Sequence, residues 1–338
     1  PACYRQDELR ANHSRSNHTM RALLLLLTLT FGVNVSACIE EGVSAEESLL
    51  NCKRMAAKGD AESQFILGAL LFESDRKAEG TKWFYSAAKQ GHPTSQYHMG
   101  LAFNWGFDVP KDYKRAVEWY RKAADQGVAL AQYNLGALSY RGAGVAQSYS
   151  DAIKWFSKAA KQGNAAAQFN LGRMYYDGLG TPQSFDMAIK WLGAAANQGL
   201  ASAQHGLGLM LFRGEGGPKN YKKAAEWYGK AAEQGLAEAQ LNLGVVYEST
   251  QKYALAMKWY RKASTQGLSA AQFNLGTLYA KGLGVTEDHV LALMWWTVAE
   301  VNGNEPAAKY KDKLAALMPA PQISRAKKLA REWLTKNR

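Results

Sequence analysis

Seven glutamines recur in this chain at spacings of 32 or 36 residues, and each lies three residues before a Leu-Gly or Met-Gly pair. The surrounding letters repeat as well, for example "QYNLGALSYRG" and "QFNLGRMYYDG". A fixed period of this size is the signature of a repeat protein, in which each unit buries its apolar face only against the next one. The pattern therefore predicts one array in place of the two globular domains that 338 residues would allow. The glutamines are Gln64, Gln96, Gln132, Gln168, Gln204, Gln240 and Gln272.

Each repeat predicts two helices. In the first, helix A, the residues at −3, 0, +3, +4 and +7 from the glutamine fall on one face and predict a single buried stripe. In the second, helix B, a tryptophan and several alanines recur at helical spacing, and we expect the tryptophans to fill the core between repeats. A glycine then ends helix B, because glycine adopts the left-handed conformation at low cost. The tryptophans are Trp83, Trp119, Trp155, Trp191, Trp227, Trp259 and Trp295, and the glycines are Gly91, Gly127, Gly163, Gly199, Gly235, Gly267 and Gly303.

A Gly-x-Gly sequence separates the two helices in four repeats, at 142–144, 178–180, 214–216 and 282–284. Two of the repeats, the first and the sixth, are 32 residues long and lack it, so the missing residues fall in the loop and leave both helices intact. The last pair resembles the start of a nucleotide-binding loop, but the third glycine of that motif is absent and no predicted strand precedes it. We therefore interpret these glycines as turns.

The composite pattern A-x-x-Q-x-x-L-G, then G-x-G, then A-x-x-W-Y-x-K-A-A-x-Q-G resembles the Sel1-like repeat, a relative of the tetratricopeptide repeat with a longer loop between its helices. The resemblance covers about residues 61–303. It implies an all-α fold, a right-handed α-α superhelical solenoid of about seven helix pairs with a concave surface and capping helices at both ends. It also implies a non-catalytic scaffold that binds a protein or peptide in the concave groove and uses no cofactor.

Both ends of the array predict caps. Residues 38–60 predict an N-terminal capping helix, opened by a Ser-Ala-Glu-Glu capping box. Residues 304–338 predict a C-terminal cap of two helices split by prolines. Nine basic and two acidic residues lie within 309–338, so much of the net charge of +12 belongs to this cap. We interpret it as a solvated face in preference to a site for anionic lipid or an acidic partner, and we predict no nucleic-acid binding.

Residues 20–37 predict a secretory signal peptide, because a short apolar run follows Arg21 and ends in small residues. The run is too short to span a bilayer comfortably as a mature helix. Residues 1–19 would then be an upstream extension outside the mature protein. The sequence therefore predicts a periplasmic or secreted protein.

Two cysteines remain after that cleavage, Cys38 and Cys52. In an oxidising compartment they can form a disulfide. The segment 35–38, "VSAC", also resembles the lipobox at which bacterial lipoproteins are cleaved and acylated on the cysteine, and an acylated Cys38 would tether the protein to the outer membrane. Both interpretations stay open, with the disulfide favoured because Cys52 supplies a partner. Membrane contact is expected only for the lipidated form.

The +2, +5 and +9 positions of helix A share a face beside the buried stripe. By analogy with tetratricopeptide grooves, this face would line the concavity and bind the partner, with the +2 asparagine holding a peptide backbone. The alternative is that each asparagine satisfies neighbouring backbone groups only. The predicted contact residues are Asn134, Arg141, Asn170, Arg173, Asp177, Arg213, Asn274, Lys281 and Trp105.

One segment departs from the repeat pattern. Trp105 and Phe107 flank Gly106 at a predicted helix end. An exposed aromatic pair there would be a binding hot spot. The sequence favours packing against the core in an irregular loop.

No catalytic or metal site is predicted. His92, His98, His205 and His289 are scattered, without an H-E-x-x-H or C-x-x-C motif. A hydrolase acting on β-lactams or the cell wall, an activity linked to cysteine-rich relatives, is one alternative, but residues 61–303 contain no cysteine. A membrane-tethered assembly factor is another, and it requires lipidation. We expect a monomer that binds a protein of the bacterial envelope or of a host.

Overall fold

The computed structural model describes Cys38 and residues 45–73 and 76–337. The predicted extension 1–19 and signal peptide 20–37 lie outside these described residues. Within them the chain forms 17 α-helices and no strand. The helices are α1 (Ala45–Ala57), α2 (Ala61–Glu73), α3 (Lys77–Lys89), α4 (Pro93–Trp105), α5 (Tyr113–Asp125), α6 (Ala129–Arg141), α7 (Tyr149–Lys161), α8 (Ala165–Asp177), α9 (Phe185–Asn197), α10 (Ala201–Arg213), α11 (Tyr221–Glu233), α12 (Ala237–Ser249), α13 (Tyr253–Thr265), α14 (Ser269–Lys281), α15 (His289–Val301), α16 (Glu305–Ala315) and α17 (Ala320–Lys336).

The helices alternate as the repeat pattern predicts. The even-numbered helices from α2 to α14 are the A helices, and the odd-numbered helices from α3 to α15 are the B helices. Side chains cap the N-terminus of several B helices; for example, Asp112 accepts hydrogen bonds from two backbone amides at the start of α5. The all-α repeat solenoid that the resemblance implies is confirmed.

The chain divides into two compact units. The first runs to Ala167 and includes residues 179–181, and the second comprises 168–178 and 182–338. The core of the first unit includes the buried rings of Phe84 and Tyr120. The core of the second unit is built from several neighbouring clusters, which contain Tyr228, Tyr260 and Trp296.

The core of every repeat depends on one close approach between helix A and helix B. The glycine at +4 of helix A lies under a ring or branched side chain of helix B, and a Cβ on Gly136 would be 2.6 Å from the ring of Phe156. Only glycine fits at this distance, because real Cβ atoms do not approach other atoms so closely. The seven pairs are Gly68 with Phe84, Gly100 with Tyr120, Gly136 with Phe156, Gly172 with Leu192, Gly208 with Tyr228, Gly244 with Tyr260 and Gly276 with Trp296.

The structure corrects the prediction that the tryptophans form the core. The fully buried side chain of helix B is the residue after the tryptophan, such as Tyr120 or Phe156. Of the seven repeat tryptophans, Trp259 and Trp295 are buried, and the other five, such as Trp119 and Trp155, are half-buried. Consecutive helical residues point about 100° apart, so only one of two adjacent aromatics can face the glycine. In Trp119 and Trp155 a lysine ammonium instead lies over the half-buried indole, at 4.4 Å and 4.2 Å from the ring centroid.

The recurring glutamines join consecutive repeats through buried hydrogen bonds. The amide of Gln132 donates to the carbonyl oxygen of Ala124, at the end of α5, at 3.0 Å. Its own carbonyl oxygen accepts from the amide of Gln162 at 2.8 Å, and that amide also donates to Gly127 at 2.9 Å. Carbonyl groups at a helix C-terminus lack intrahelical partners, and the glutamine supplies one. Equivalent bonds join Gln204 to Gln234, and Asn302 takes the second role beside Gln272.

The predicted glycine turns are confirmed. Gly199 follows the end of α9 with φ of 90°. Gly282 and Gly284 lie between α14 and α15 with φ of 62° and 72°. A positive φ strains any residue with a Cβ, so both positions of the Gly-x-Gly pair require glycine. These glycines shape a connection between helices and leave the nucleotide-loop interpretation without a site.

Both caps are helical. Helix α1 begins at Ala45, while Ser44 of the predicted capping box lies outside the described residues. Helices α16 and α17 form the C-terminal cap, and Pro319 separates them. A disulfide joins Cys38 to Cys52 of α1, and both cysteines are buried.

Candidate functional site

The predicted contact residues all lie on A helices. Three of them converge at the end of α8 and α10. Arg173 and Asp177 form an ion pair with an N–O distance of 4.0 Å. Arg213 donates to the hydroxyl of Tyr176, one residue before Asp177, at 3.2 Å. The remaining residues lie elsewhere: Trp105 on α4, Asn134 and Arg141 on α6, Asn170 on α8, and Asn274 and Lys281 on α14.

Two of the predicted asparagines make hydrogen bonds to tyrosines of neighbouring helices. Asn134 bonds the hydroxyl of Tyr97 on α4, and Asn274 bonds the hydroxyl of Tyr260 on α13. Burial raises the pKa of both tyrosines, so their hydroxyl groups stay protonated at neutral pH. These asparagines therefore have a role in packing between helices, and their contact with a partner stays a prediction.

A groove lies between the A helices α8 and α10, within the second unit. Its volume is about 420 Å³, and residues of repeats four, five and six line it. We call it the repeat-five groove. The apolar lining is Phe169, Leu192, Leu209, Met210 and Leu236, with the backbone of Gly206, and the polar lining is Arg173, Tyr176, Asp177, Ser202, His205 and Glu238. Of the predicted contact residues, it brings together Arg173 and Asp177.

The groove exists where the repeat departs from its own pattern. At the +2 position four repeats carry asparagine, whereas the fifth carries Gly206. A Cβ on Gly206 would lie 3.7 Å from Leu192, so a side chain here would project toward the groove lining. The preceding position, aromatic or leucine in every other repeat, is His205. Neither residue was predicted to belong to a site.

The electrostatics of His205 follow from its burial. Desolvation lowers the pKa of the imidazole, and the nearby carboxylate of Glu238 opposes this effect only in part. The amide of Asn242 lies 2.8 Å from its Nε2, where it can donate to an unprotonated nitrogen. At neutral pH the ring is therefore uncharged, and it adds a polar but neutral surface to the groove.

A second network ties α8 to the loop that follows α10. The hydroxyl of Tyr176 donates to Glu215 at 3.1 Å and accepts from Arg213. Arg213 also lies 3.6 Å from the carboxylate of Glu215. Partial burial and the bond to Glu215 raise the pKa of Tyr176. Tyr176 and Glu215 were not predicted, since they belong to different repeats and their contact follows from the loop conformation. Their link holds one edge of the groove in place.

The aromatic pair after α4 differs from the expectation. Trp105 is 62% exposed and Phe107 is 50% exposed, so the prediction that they pack against the core is wrong. Gly106 ends the helix with φ of 78°, and the next residues turn away from it; Asp108, with φ of 56°, accepts a hydrogen bond from Thr81. The turn leaves the two rings pointing outward.

Across Cys38, 45–73 and 76–337, no group of three or more histidine, cysteine or carboxylate side chains is placed to hold a metal ion. Over the same part of the chain, no helix combines the length and the apolar character needed to cross a bilayer.

A family model for the Sel1 repeat matches the chain in seven consecutive segments, 61–92, 93–128, 129–164, 165–200, 201–236, 237–268 and 269–299. These segments contain all of the A helices and the repeat-five groove. Each matched segment but the last ends within one residue of the next glutamine-bearing helix, in agreement with the period. No curated protein matches the chain.

Two solved structures illustrate the likeness. A Sel1 repeat protein from Oxalobacter formigenes is 30% identical, with a TM-score of 0.60, over 70% of this chain and 96% of that one. A protective antigen of uropathogenic Escherichia coli strains, described as displaying an SLR fold, is 30% identical over 93% of this chain and 84% of that one, with a TM-score of 0.46. The family model covers well over half of the residues, and the chain therefore belongs to the Sel1 repeat family.

Proposed function

We propose that this chain is a non-catalytic scaffold of the bacterial envelope or the secreted compartment that binds a protein or peptide partner on the face of its A helices. Sel1 repeat proteins typically act as scaffolds for protein–protein interaction. The observation that carries the proposal is the repeat-five groove, where apolar surface and charged side chains adjoin on that face. A mixture of this kind is common in sites that bind peptide segments.

The helices that hold the groove are themselves fixed. The glutamine bonds and the glycine contacts described above set the position of α10 against its neighbours. A partner therefore meets a surface that needs little ordering, which lowers the entropic cost of binding.

The test is affinity capture with the intact protein from envelope extracts and from host secretions in parallel, read by mass spectrometry. The double variant Asn170→Ala/Arg173→Ala removes two predicted contacts from α8. Its control is Lys222→Ala/Lys223→Ala, which removes two exposed side chains from the B helix α11. We expect unchanged melting of both variants and loss of the partner only with the first. Equal capture by both variants would remove the A-helix face as the binding surface.

The envelope or secreted location rests on the predicted signal peptide 20–37. The disulfide between Cys38 and Cys52 supports the soluble form, because an acylated Cys38 has no free thiol to share. The membrane-tethered alternative predicts a mature N-terminus heavier by the acyl chains and labelling by a palmitate analogue. Intact-mass measurement of the exported protein distinguishes the two. Light scattering tests the expected monomer.

A further inference from the structure

The repeat-five groove is built by two substitutions within an otherwise regular array. Gly206 removes the side chain that fills the +2 position in the other six repeats, and His205 replaces a larger hydrophobic residue. A repeat that only needed to stack would keep the common residues, since they pack at the equivalent places along the chain. The departure therefore points to a use for the space that Gly206 leaves.

The lining limits what can occupy this space. About 420 Å³ lies at the small end of the range of about 300–1,000 Å³ for ligand sites. One long side chain and the backbone that carries it fit such a volume. Leu192, Leu209 and Met210 offer apolar contact along the groove. A long aliphatic stem gains from this contact while its polar end stays at the rim.

One of the charged side chains at the rim of the groove is not neutralised by an ion pair. Arg173 and Asp177 neutralise each other in their ion pair. His205 is half-buried, and desolvation keeps its imidazole uncharged at neutral pH. Glu238, exposed in the first turn of α12, forms no ion pair or side-chain hydrogen bond with any residue in the described part of the chain. The balance at the rim is therefore negative, and it favours a cation.

We propose that the repeat-five groove is a specificity pocket for a lysine or arginine side chain of the partner, with the aliphatic stem along Leu192, Leu209 and Met210 and the cationic group at Glu238. This inference rests on the proposed function and assigns one class of partner residue to one repeat. An acidic side chain would meet Glu238 with like charge. A purely apolar side chain would leave the carboxylate without a counter-ion.

The experiment is selection of a random heptapeptide phage library on the intact protein. We expect the enriched peptides to share a lysine or arginine and to bind Gly206→Trp at least tenfold more weakly, because the indole fills the groove. The matched control is Gly229→Trp on α11, where an added Cβ meets nothing within 4 Å and which does not line the groove.

A second variant guards against misfolding of Gly206→Trp. Glu238→Lys changes only an exposed side chain, and we expect it to abolish enrichment of basic residues and to weaken the selected peptides at least tenfold. Enrichment without a basic residue, or equal binding to Glu238→Lys, overturns the pocket. Peptides that bind equally to Gly206→Trp also overturn it, and no enrichment at all does the same. In each of these cases the proposed scaffold function is judged separately by the capture experiment.

Discussion

Two glycines on one helix are expected to respond differently to replacement by alanine. Gly206 and Gly208 lie two residues apart on α10. A Cβ on Gly208 would be 2.8 Å from the ring of Tyr228, which is 1% exposed. A Cβ on Gly206 would have Leu192 as its nearest neighbour, at 3.7 Å, which is an ordinary contact. The pair therefore separates the close approach of the helices from the intrinsic cost of glycine in a helix.

The magnitudes follow from two effects. Alanine in place of a helical glycine stabilises by about 1 kcal/mol, and forcing an extra methyl group into a packed core costs about 1–3 kcal/mol. Gly206→Ala gains the first effect alone, so we expect its free energy of unfolding to rise by about 1 kcal/mol. Gly208→Ala carries both effects. The propensity is common to the two variants and cancels, so Gly208→Ala is expected to be less stable than Gly206→Ala by about 1–3 kcal/mol.

The assay is urea unfolding followed by circular dichroism, together with native-state hydrogen exchange of the α10 amides. The second measurement is needed because long repeat arrays need not unfold in a single transition. Exchange in α10 should slow in Gly206→Ala and be faster in Gly208→Ala than in that variant. Equal stability of the two variants would mean that the Tyr228 ring moves to accommodate the methyl group. The close contact would then not require glycine at position 208.

Further predictions concern buried polar groups. The hydroxyl of Tyr228 is buried and without a hydrogen-bond partner among the described residues, so Tyr228→Phe should raise the free energy of unfolding by about 1 kcal/mol. Tyr260 donates to Glu248 at 2.6 Å, so Tyr260→Phe should lower it by about 1–2 kcal/mol in the same urea assay; a gain in stability would contradict this reasoning. Burial, aided by the charge of His92, lowers the pKa of His98 to about 4. As the pH falls, the His98 imidazole is therefore protonated in the unfolded chain before it is protonated in the folded protein. The free energy of unfolding should fall by up to about 3 kcal/mol as the pH drops from above 6.5 to 4. In His98→Asn, unfolded at pH 7 and pH 4, that part of the loss should be absent; an identical acid loss in both proteins would exclude His98 as its source.

The regular part of the fold was predictable because the same sequence pattern occurs seven times. The period, the two helices per repeat, the left-handed glycines and the turns all follow from local patterns. The identity of the aromatic residue that faces the core does not follow from these local patterns. Trp119 and Tyr120 are adjacent and both aromatic, and only the contact of Tyr120 with Gly100 decides between them. That contact joins two helices, so it cannot be predicted from the spacing of residues within either helix alone.

The candidate site was only partly predictable. Arg173 and Asp177 were found because they lie on the right face of helix A. The groove itself depends on the absence of a side chain at Gly206. Glycine carries no chemical group that would mark it as a site residue in the sequence. Comparing the repeats position by position would have found Gly206 and His205. The contact of Tyr176 with Glu215 could not be found in this way, because it spans 39 residues and a loop.

The glutamine contacts make the array modular in length. Gln204 donates to the carbonyl of Ala196, and Gln240 donates to that of Ala232, with equal distances of 3.1 Å. If Ala201–Leu236 were excised, Gln240 would meet Ala196 in place of Ala232, an alanine at the same place in the preceding B helix. A gene can therefore lose or gain one whole unit and rejoin equivalent residues, whereas a deletion that cuts into helix A or helix B misaligns the glutamine contacts. Repeat proteins of this kind can therefore change their length and their set of grooves by whole repeats, while each junction keeps the same glutamine contacts.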